Sequence, residues 1–289
     1  MTDLITISDG HSVCTLRPDL GGSIISWSVA GQDMLRRADH AALAAGDPLS
    51  LASFPLVPFS NRIGFARFNW NGKQVDIEPN FPPEPHAIHG IGWTQSWEIG
   101  ERSSNHCTLN LMHSSDGRWP WFFSASQTLS LTENTLELQL SATNLADEPV
   151  PLAFGHHPYF DQAGAQLSFN AESVFMSDAL SLPTQAVQPT GMFDFSGDGG
   201  LADRDVDHCY AGWNGYARIK WDGRPLMLDI KSDMKATVVY VPQGGDAFCF
   251  EPVPHINNAL NRPGDILPMP VIGPGESFNS TITFEAIQK

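Results

Sequence analysis

The chain has 289 residues, an apolar fraction of 42% and a formal net charge of −16. This is globular rather than disordered composition, and the length is enough to bury a core without staples. No basic run offers the positive charge that a nucleic-acid backbone demands, and no apolar run approaches the about 18 residues of a membrane span, so neither partner is expected.

In chain order the punctuation is that of strands and tight turns. Leu4–Ser8 and Ser12–Arg17 read as strands flanking Asp9-Gly10. A short helix is expected over Asp39–Ala45. Ala66–Trp70 and Lys73–Ile77 flank Asn71-Gly72, and Pro79–Gly92 reads as a long loop. Ser124–Leu131 and Leu136–Asn144 surround Thr132–Thr135. There Leu136, Leu138 and Leu140 share one face, while Glu137, Gln139 and Ser141 take the other. Gly191–Asp207 is a second long loop. Ala217–Trp221 and Arg224–Ser232 flank Asp222-Gly223, and Thr237–Val241 and Ser277–Glu285 complete the strands, with a helical turn near Asn257–Asn261. Asn-Gly and Asp-Gly supply the positive φ angles that two-residue hairpin turns require. The 22 prolines and 25 glycines are spread throughout rather than gathered into a linker. The expectation is one domain over residues 1–289, an all-β, large antiparallel β-sandwich with polar residues on a concave face.

The cysteines are Cys14, Cys107, Cys209 and Cys249, with no CxxC among them, so a zinc ribbon or thioredoxin-type motif is absent. Buried free thiols are expected. The first ten residues lack a basic n-region and an apolar h-region, and a reducing cytoplasm is the simplest reading.

Several of the ten histidines fall near carboxylates or in glycine-flanked loops. The segments are Asn61-Arg62, His86–Gly90, Gly155–Phe160, Asp207-His208 and Glu251–His255. Only a fold could join them, through loops and strand ends of one face. Taken singly, Arg62 reads first as a surface or salt-bridged arginine, and Asp207 equally as a turn cap. Neighbouring strand residues point to opposite faces, so at most one of His156 and His157 reaches a shared site. Glu251 follows the apolar run Ala247–Phe250, where a carboxylate is costly unless paired or functional. A metal site would use the imidazoles with Glu251, and His86-x-x-His89 offers two ligands, but HExxH and the cupin spacing are missing. GxSxG is missing too. Acid–base chemistry between a carboxylate and an imidazole needs nothing further, so no metal or organic cofactor is expected.

At these segments the chain resembles the aldose 1-epimerase (galactose mutarotase) family, over nearly its whole length. The matching segments are Pro18–Gly22, Asn61-Arg62-Ile63, the hairpin Ala66–Ile77, His89–Trp93, His157-Pro158-Tyr159-Phe160, Asp207-His208, and Ala247–Pro252 followed by Asn257–Asn261. The resemblance implies a galactose mutarotase-like supersandwich and the reversible opening of a pyranose ring. It implies Glu251 as the base that removes the C1 hydroxyl proton and His157 as the acid at the ring oxygen. His89 would assist at that oxygen or orient the sugar, and Arg62 and Asp207 would bind sugar hydroxyls. Trp93 and Phe160 read either as apolar faces for sugar C–H groups or as core aromatics, the core reading being at least as good for Phe160. The family's sugar-binding glutamine has a longer connection to its glutamate, so Gln243 is given no role. With reference pKa values of about 4.3 for Glu and 6.5 for His, an ionised Glu251 beside a protonated His157 is the expected pair. The expected partner is a small aldose, and the chain is expected to be a monomer or homodimer. The rival readings are a hexose-6-phosphate 1-epimerase, with Arg62, Arg67 and Lys73 as phosphate candidates, a carbohydrate-binding protein without catalysis, and a metal-dependent sugar isomerase.

Overall fold

In the computed structural model, which describes residues 4–289, two large antiparallel sheets carry the architecture. The first runs in the order Ile5–Ser8, Ser12–Arg17, Ser23–Val29, Ser53–Leu56, Gly155–Asp161, Ala247–Val253, Ala236–Val241, Val206–Ala211, Ser173–Ser177, Pro183–Val187, with Gln32–Asp33 added beside Ser23–Val29. The second runs Glu98–Arg102, His106–His113, Phe123–Thr132, Thr135–Asn144, Ser277–Gln288, Leu226–Ser232, Tyr216–Trp221, Ala165–Phe169, Gly199–Gly200. Strands far apart in sequence thus become neighbours: Ser53–Leu56 pairs with Gly155–Asp161, which pairs with Ala247–Val253.

The two sheets close on each other through their apolar faces. Trp27 of the first meets Phe284 of the second at 6.2 Å, and Phe160 packs against Phe248 and Phe284. Burial of such rings stabilises the fold by about 1.5–3 kcal/mol each. Alternation makes this possible: Leu136, Leu138 and Leu140 are buried, while Glu137, Gln139 and Ser141 are partly or fully exposed. Phe160 is wholly buried between the sheets, so of its two readings the core one holds.

The hairpins differ in detail from the sequence reading. Asn71 and Gly72 both take positive φ, 50° and 76°, and Trp70 pairs with Lys73 as a two-residue turn requires. At Asp9-Gly10 the connection is longer, because Asp9 Oδ1 accepts from the N–H groups of His11 and Ser12 and holds them out of the ladder. At Asp222-Gly223 the return strand begins at Leu226 rather than Arg224, since Arg224 reaches out to Asp161 and Pro225 has no N–H to donate. Thr132 pairs directly with Thr135, leaving only Glu133 and Asn134 in the turn. The helix His40–Ala45 is capped by Asp39, and near Asn257–Asn261 there is a 3-10 turn, Ala259–Asn261. The loop 79–92 contains the short strand Ala87–Ile88, paired with Arg62–Ile63, and the loop 191–207 contains a 3-10 turn and the strand Gly199–Gly200. No helix among the described residues is long and apolar enough to cross a membrane. All four cysteines are free and buried.

Candidate active site

The strands Ser53–Leu56, Gly155–Asp161, Ala247–Val253, Ala236–Val241 and Val206–Ala211 lie side by side. Their faces turned away from the second sheet carry His157, Asp207 and Glu251. The histidine pair shows how the faces divide. His156 points between the sheets, where its Nδ1 accepts from the Ser53 hydroxyl and its Nε2 donates to Gln127 Oε1 at 3.2 Å. His157 points the other way, and its Nε2 lies 3.2 Å from Glu251 Oε1. Both partners are nearly enclosed: the Glu251 side chain is 2% exposed and that of His157 8%. The imidazole of His157 is stacked on Phe54 at 4.5 Å and flanked by Tyr159 at 4.7 Å. Glu251 Oε2 and His157 Nδ1 are buried without a hydrogen-bond partner.

His89 approaches from the loop, its ring perpendicular to that of His157 at 5.1 Å. It has φ 60°, and Asn61 has φ 56°. The two residues lock together: Asn61 O accepts from His89 N–H at 3.0 Å, and His89 Nδ1 accepts from Asn61 N–H at 3.3 Å. That fixes the tautomer of the neutral ring, leaving Nε2–H as its free donor. The following Gly90, at φ 68°, is obligatory, because a Cβ there would lie 2.2 Å from Val57 O. Trp93 donates its indole N–H to Gly90 O and packs on Phe54 at 5.6 Å. It is buried, and its indole braces the loop that carries His89.

Arg62 is held by a residue that the sequence reading missed. Its Nε and Nη2 donate to Glu84 at 2.8 and 2.9 Å, a two-pronged pair, while Nη1 lies 3.9 Å from Asp207 Oδ2. The turn after the Glu251 strand supports the same segment, with Asn258 donating to Arg62 O and accepting from Gly64 N–H. Asp207 keeps 40% of its side chain exposed, beside Tyr240 in the ladder. A cavity of 590 Å³ is lined by Arg36, Tyr159, Tyr240 and Ala247 among others, and none of His89, Arg62, His157, Asp207 and Glu251 lines it. Arg36 lies over the Tyr159 ring at 3.8 Å and donates to the carbonyls of Leu49 and Leu51.

The remaining candidates are engaged elsewhere. His86 accepts from Phe65 N–H and bonds Leu180 O, so both its nitrogens are occupied and it does not join His89 as a ligand pair. His208 bonds Ser177. Arg67 pairs with Asp76, and Gln243 and Lys73 are exposed.

Burial dominates the electrostatics. It drives His157 down to about 3 and His89 well below the usual imidazole range, the latter helped by His157 and Arg62. It raises Glu251 well above the usual carboxylate range, with Asp207 adding to the rise and Arg62 opposing it. Burial also pulls Arg62 down, but Glu84 and Asp207 outweigh it. Both shifts favour the uncharged form of the pair, with one proton shared between its members, over the ion pair expected from reference values. The reason is that removing two charges from water costs more than one contact at 3.2 Å returns.

Comparison with known proteins places this arrangement. A family model described as "Aldose 1-epimerase" matches residues 3–285. The protein YphB of Escherichia coli K12, uncharacterized, is 28% identical over 278 residues, covering 92% of each chain. A crystal structure of a candidate aldose 1-epimerase from Escherichia coli K12 superposes with a TM-score of 0.91 at 26% identity, covering 99% of both chains. A GalM/aldose epimerase homologue from C. elegans gives a TM-score of 0.86 at 20% identity, covering 100% of this chain and 99% of that one, a likeness of fold. The sandwich is of the galactose mutarotase-like type.

Proposed function

Because the chain belongs to the aldose 1-epimerase family, we propose that it interconverts the α and β anomers of a free aldose by acid–base opening and reclosure of the pyranose ring. The observation that carries this reading is the enclosed contact of His157 Nε2 with Glu251 Oε1 at 3.2 Å. Glu251 removes the proton of the C1 hydroxyl while His157 delivers one to the ring oxygen. The ring C–O bond breaks as the C1 carbonyl forms. Rotation about C1–C2 and reclosure from the other face, with the roles reversed, give the other anomer. No proton is gained or lost overall, which suits a pair that holds one proton between its members.

The working form has that proton on His157 with Glu251 ionised. Arg62 already draws Glu251 toward ionisation, and a sugar hydroxyl meeting the unpartnered Oε2 adds a hydrogen bond to the charged form. His89 presents its Nε2–H toward the same region, suited to the ring oxygen or an adjacent hydroxyl. Arg62 and Asp207 bind hydroxyls, and Trp93 holds the His89 loop. Each positioned acid or base contributes about 10²–10⁴-fold, and spontaneous mutarotation is fast enough that two suffice. A pure carbohydrate-binding role has no use for such a pair. A phosphorylated sugar is disfavoured because Arg62 is committed to Glu84 and Arg67 to Asp76. The four free thiols suit a reducing compartment.

Polarimetry of freshly dissolved α-D-glucose and α-D-galactose, with EDTA present, tests the reading. A faster approach to the same final rotation supports it and ranks the two sugars. No acceleration with either sugar, or with other free aldoses, overturns it.

A further inference from the structure

The catalytic pair has a third neighbour to which the mechanism gives no task. Cys249 lies two residues before Glu251 on the same strand and so faces the same way. It pairs in the ladder with Tyr159, which lies two residues beyond His157. Donor atoms of His157, Cys249 and Glu251 all lie within 4.8 Å of one another. All three residues are buried, and Glu251 Oε2 has no hydrogen-bond partner.

We propose that His157, Cys249 and Glu251 form a binding site for a thiophilic divalent cation, Zn²⁺ above all, and that occupation of this site reversibly shuts the enzyme off. The donor set is one imidazole nitrogen, one sulfur and one carboxylate oxygen, the mixture that Zn²⁺ takes with three protein ligands and a fourth position open to water. Tetrahedral Zn²⁺ with bonds of about 2.0–2.3 Å sets its ligand atoms about 3.4–3.6 Å apart. His157 and Glu251 already stand at 3.2 Å, and with all donor atoms within 4.8 Å of one another no pair needs to close by more than about 1.4 Å. Charge favours the same ion. A thiolate, a carboxylate and a neutral imidazole around Zn²⁺ sum to zero, so the loaded site places no net charge in a place that penalises charge. The thiol proton and the proton shared by His157 and Glu251 leave to solvent as the metal enters. Mg²⁺ and Ca²⁺ are excluded, because they seek several oxygen ligands and the cluster offers one carboxylate. The inhibition, though not the binding, rests on the function proposed above, since the metal takes the general acid and the general base together.

Co²⁺ provides the test, because it occupies zinc sites and reports a bound thiolate by absorption. Protein freed of metal by chelator and dialysis is titrated with Co²⁺, then with Zn²⁺. The expected result is a thiolate-to-cobalt charge-transfer band, abolished by Zn²⁺, with mutarotation lost in parallel and restored by EDTA. Cys249→Ala removes the band and weakens metal affinity by more than the roughly 10–100-fold that loss of a partner behind a ligand costs. Cys107→Ala changes neither. Should Cys249→Ala not fold, Cys249→Ser reads the same, having no thiolate. Absence of the band in the parent protein, or its persistence without Cys249, overturns the site. Full mutarotation with the site loaded overturns the switch. A band in a protein that accelerates no aldose leaves the site standing and removes the proposed function instead.

Discussion

Replacing Glu251 by Gln keeps the shape of the side chain and removes its ability to accept a proton. Two accounts of the contact with His157 lead to different numbers. As an acid–base pair, its loss lowers the rate by about 10²–10⁴-fold, or about 3–5 kcal/mol of transition-state stabilisation. As a structural ion pair in the interior, its loss leaves a buried charge unpaired and costs about 3–5 kcal/mol of folding stability. At about 2–4 °C per kcal/mol for large domains, that is a fall of roughly 6–20 °C in the thermal midpoint. The structure decides between them. Burial pushes both groups toward their uncharged forms, so a neutral amide at position 251 replaces a carboxyl already driven toward neutrality, still within reach of His157. Glu251→Gln is therefore expected to unfold within a few degrees of the parent while catalysing mutarotation at least 100-fold more slowly. Polarimetric initial rates and differential scanning calorimetry on the same preparation measure the two quantities. A large fall in the midpoint, or full activity in a folded variant, refutes the reasoning.

Glu84→Ala frees the guanidinium of Arg62 from its two-pronged partner, and KM is expected to rise about tenfold, or about 1.4 kcal/mol, with kcat changed far less; a loss confined to kcat in steady-state kinetics contradicts this role. Gly90→Ala sets a Cβ 2.2 Å from Val57 O at a positive φ, which costs at least about 1–3 kcal/mol, and both the thermal midpoint and activity are expected to fall, because His89 is carried by the same turn. Acid unfolding is expected well above pH 3. His89, His156, His157 and His255 are buried and neutral, with His156 and His157 near 3 and His255 near 4. Below about 6.5 the unfolded chain binds their protons first, so stability falls as pH falls. Glu251 is raised and acts with the opposite sign, offsetting about one of the four, so the slope grows from about 1 kcal/mol per pH unit near pH 6.5 to about 4 near pH 5. Urea midpoints that match at pH 7 and pH 5 contradict that slope.

Much of the fold was legible because alternation and turn residues are local. Asn71-Gly72 declared its hairpin through two residues that tolerate positive φ, and the period of two separated His157 from His156 before any coordinates. The same rule, applied to the Glu251 strand, puts Cys249 beside Glu251, though the sequence reading did not draw that out. Glu84 was not legible. It lies in Pro82-Pro83-Glu84-Pro85, where nothing local tells a solvated carboxylate from one held against Arg62 across the site. The place of Phe160 stayed open for the same reason, since a large aromatic looks alike in sequence whether it lines a cleft or fills a core. The protonation of the pair was hidden most deeply, because it depends on how completely other strands wall off water.

The division of labour between the two adjacent histidines also guards the alignment of the strand. If Gly155–Asp161 slipped by one position against its neighbours, every side chain would change faces. His156 would then turn toward Glu251, and the chain would still offer an imidazole there. What such a frame-shifted state lacks is a place for the other ring. The slot between the sheets is fitted with the Ser53 hydroxyl on one side and the Gln127 carbonyl on the other, and Gln127 is itself fastened to Gly22 O. Emptying that slot strands buried polar groups at about 1–3 kcal/mol each. His156 thus works as a locating key, selecting the single alignment in which His157 reaches Glu251.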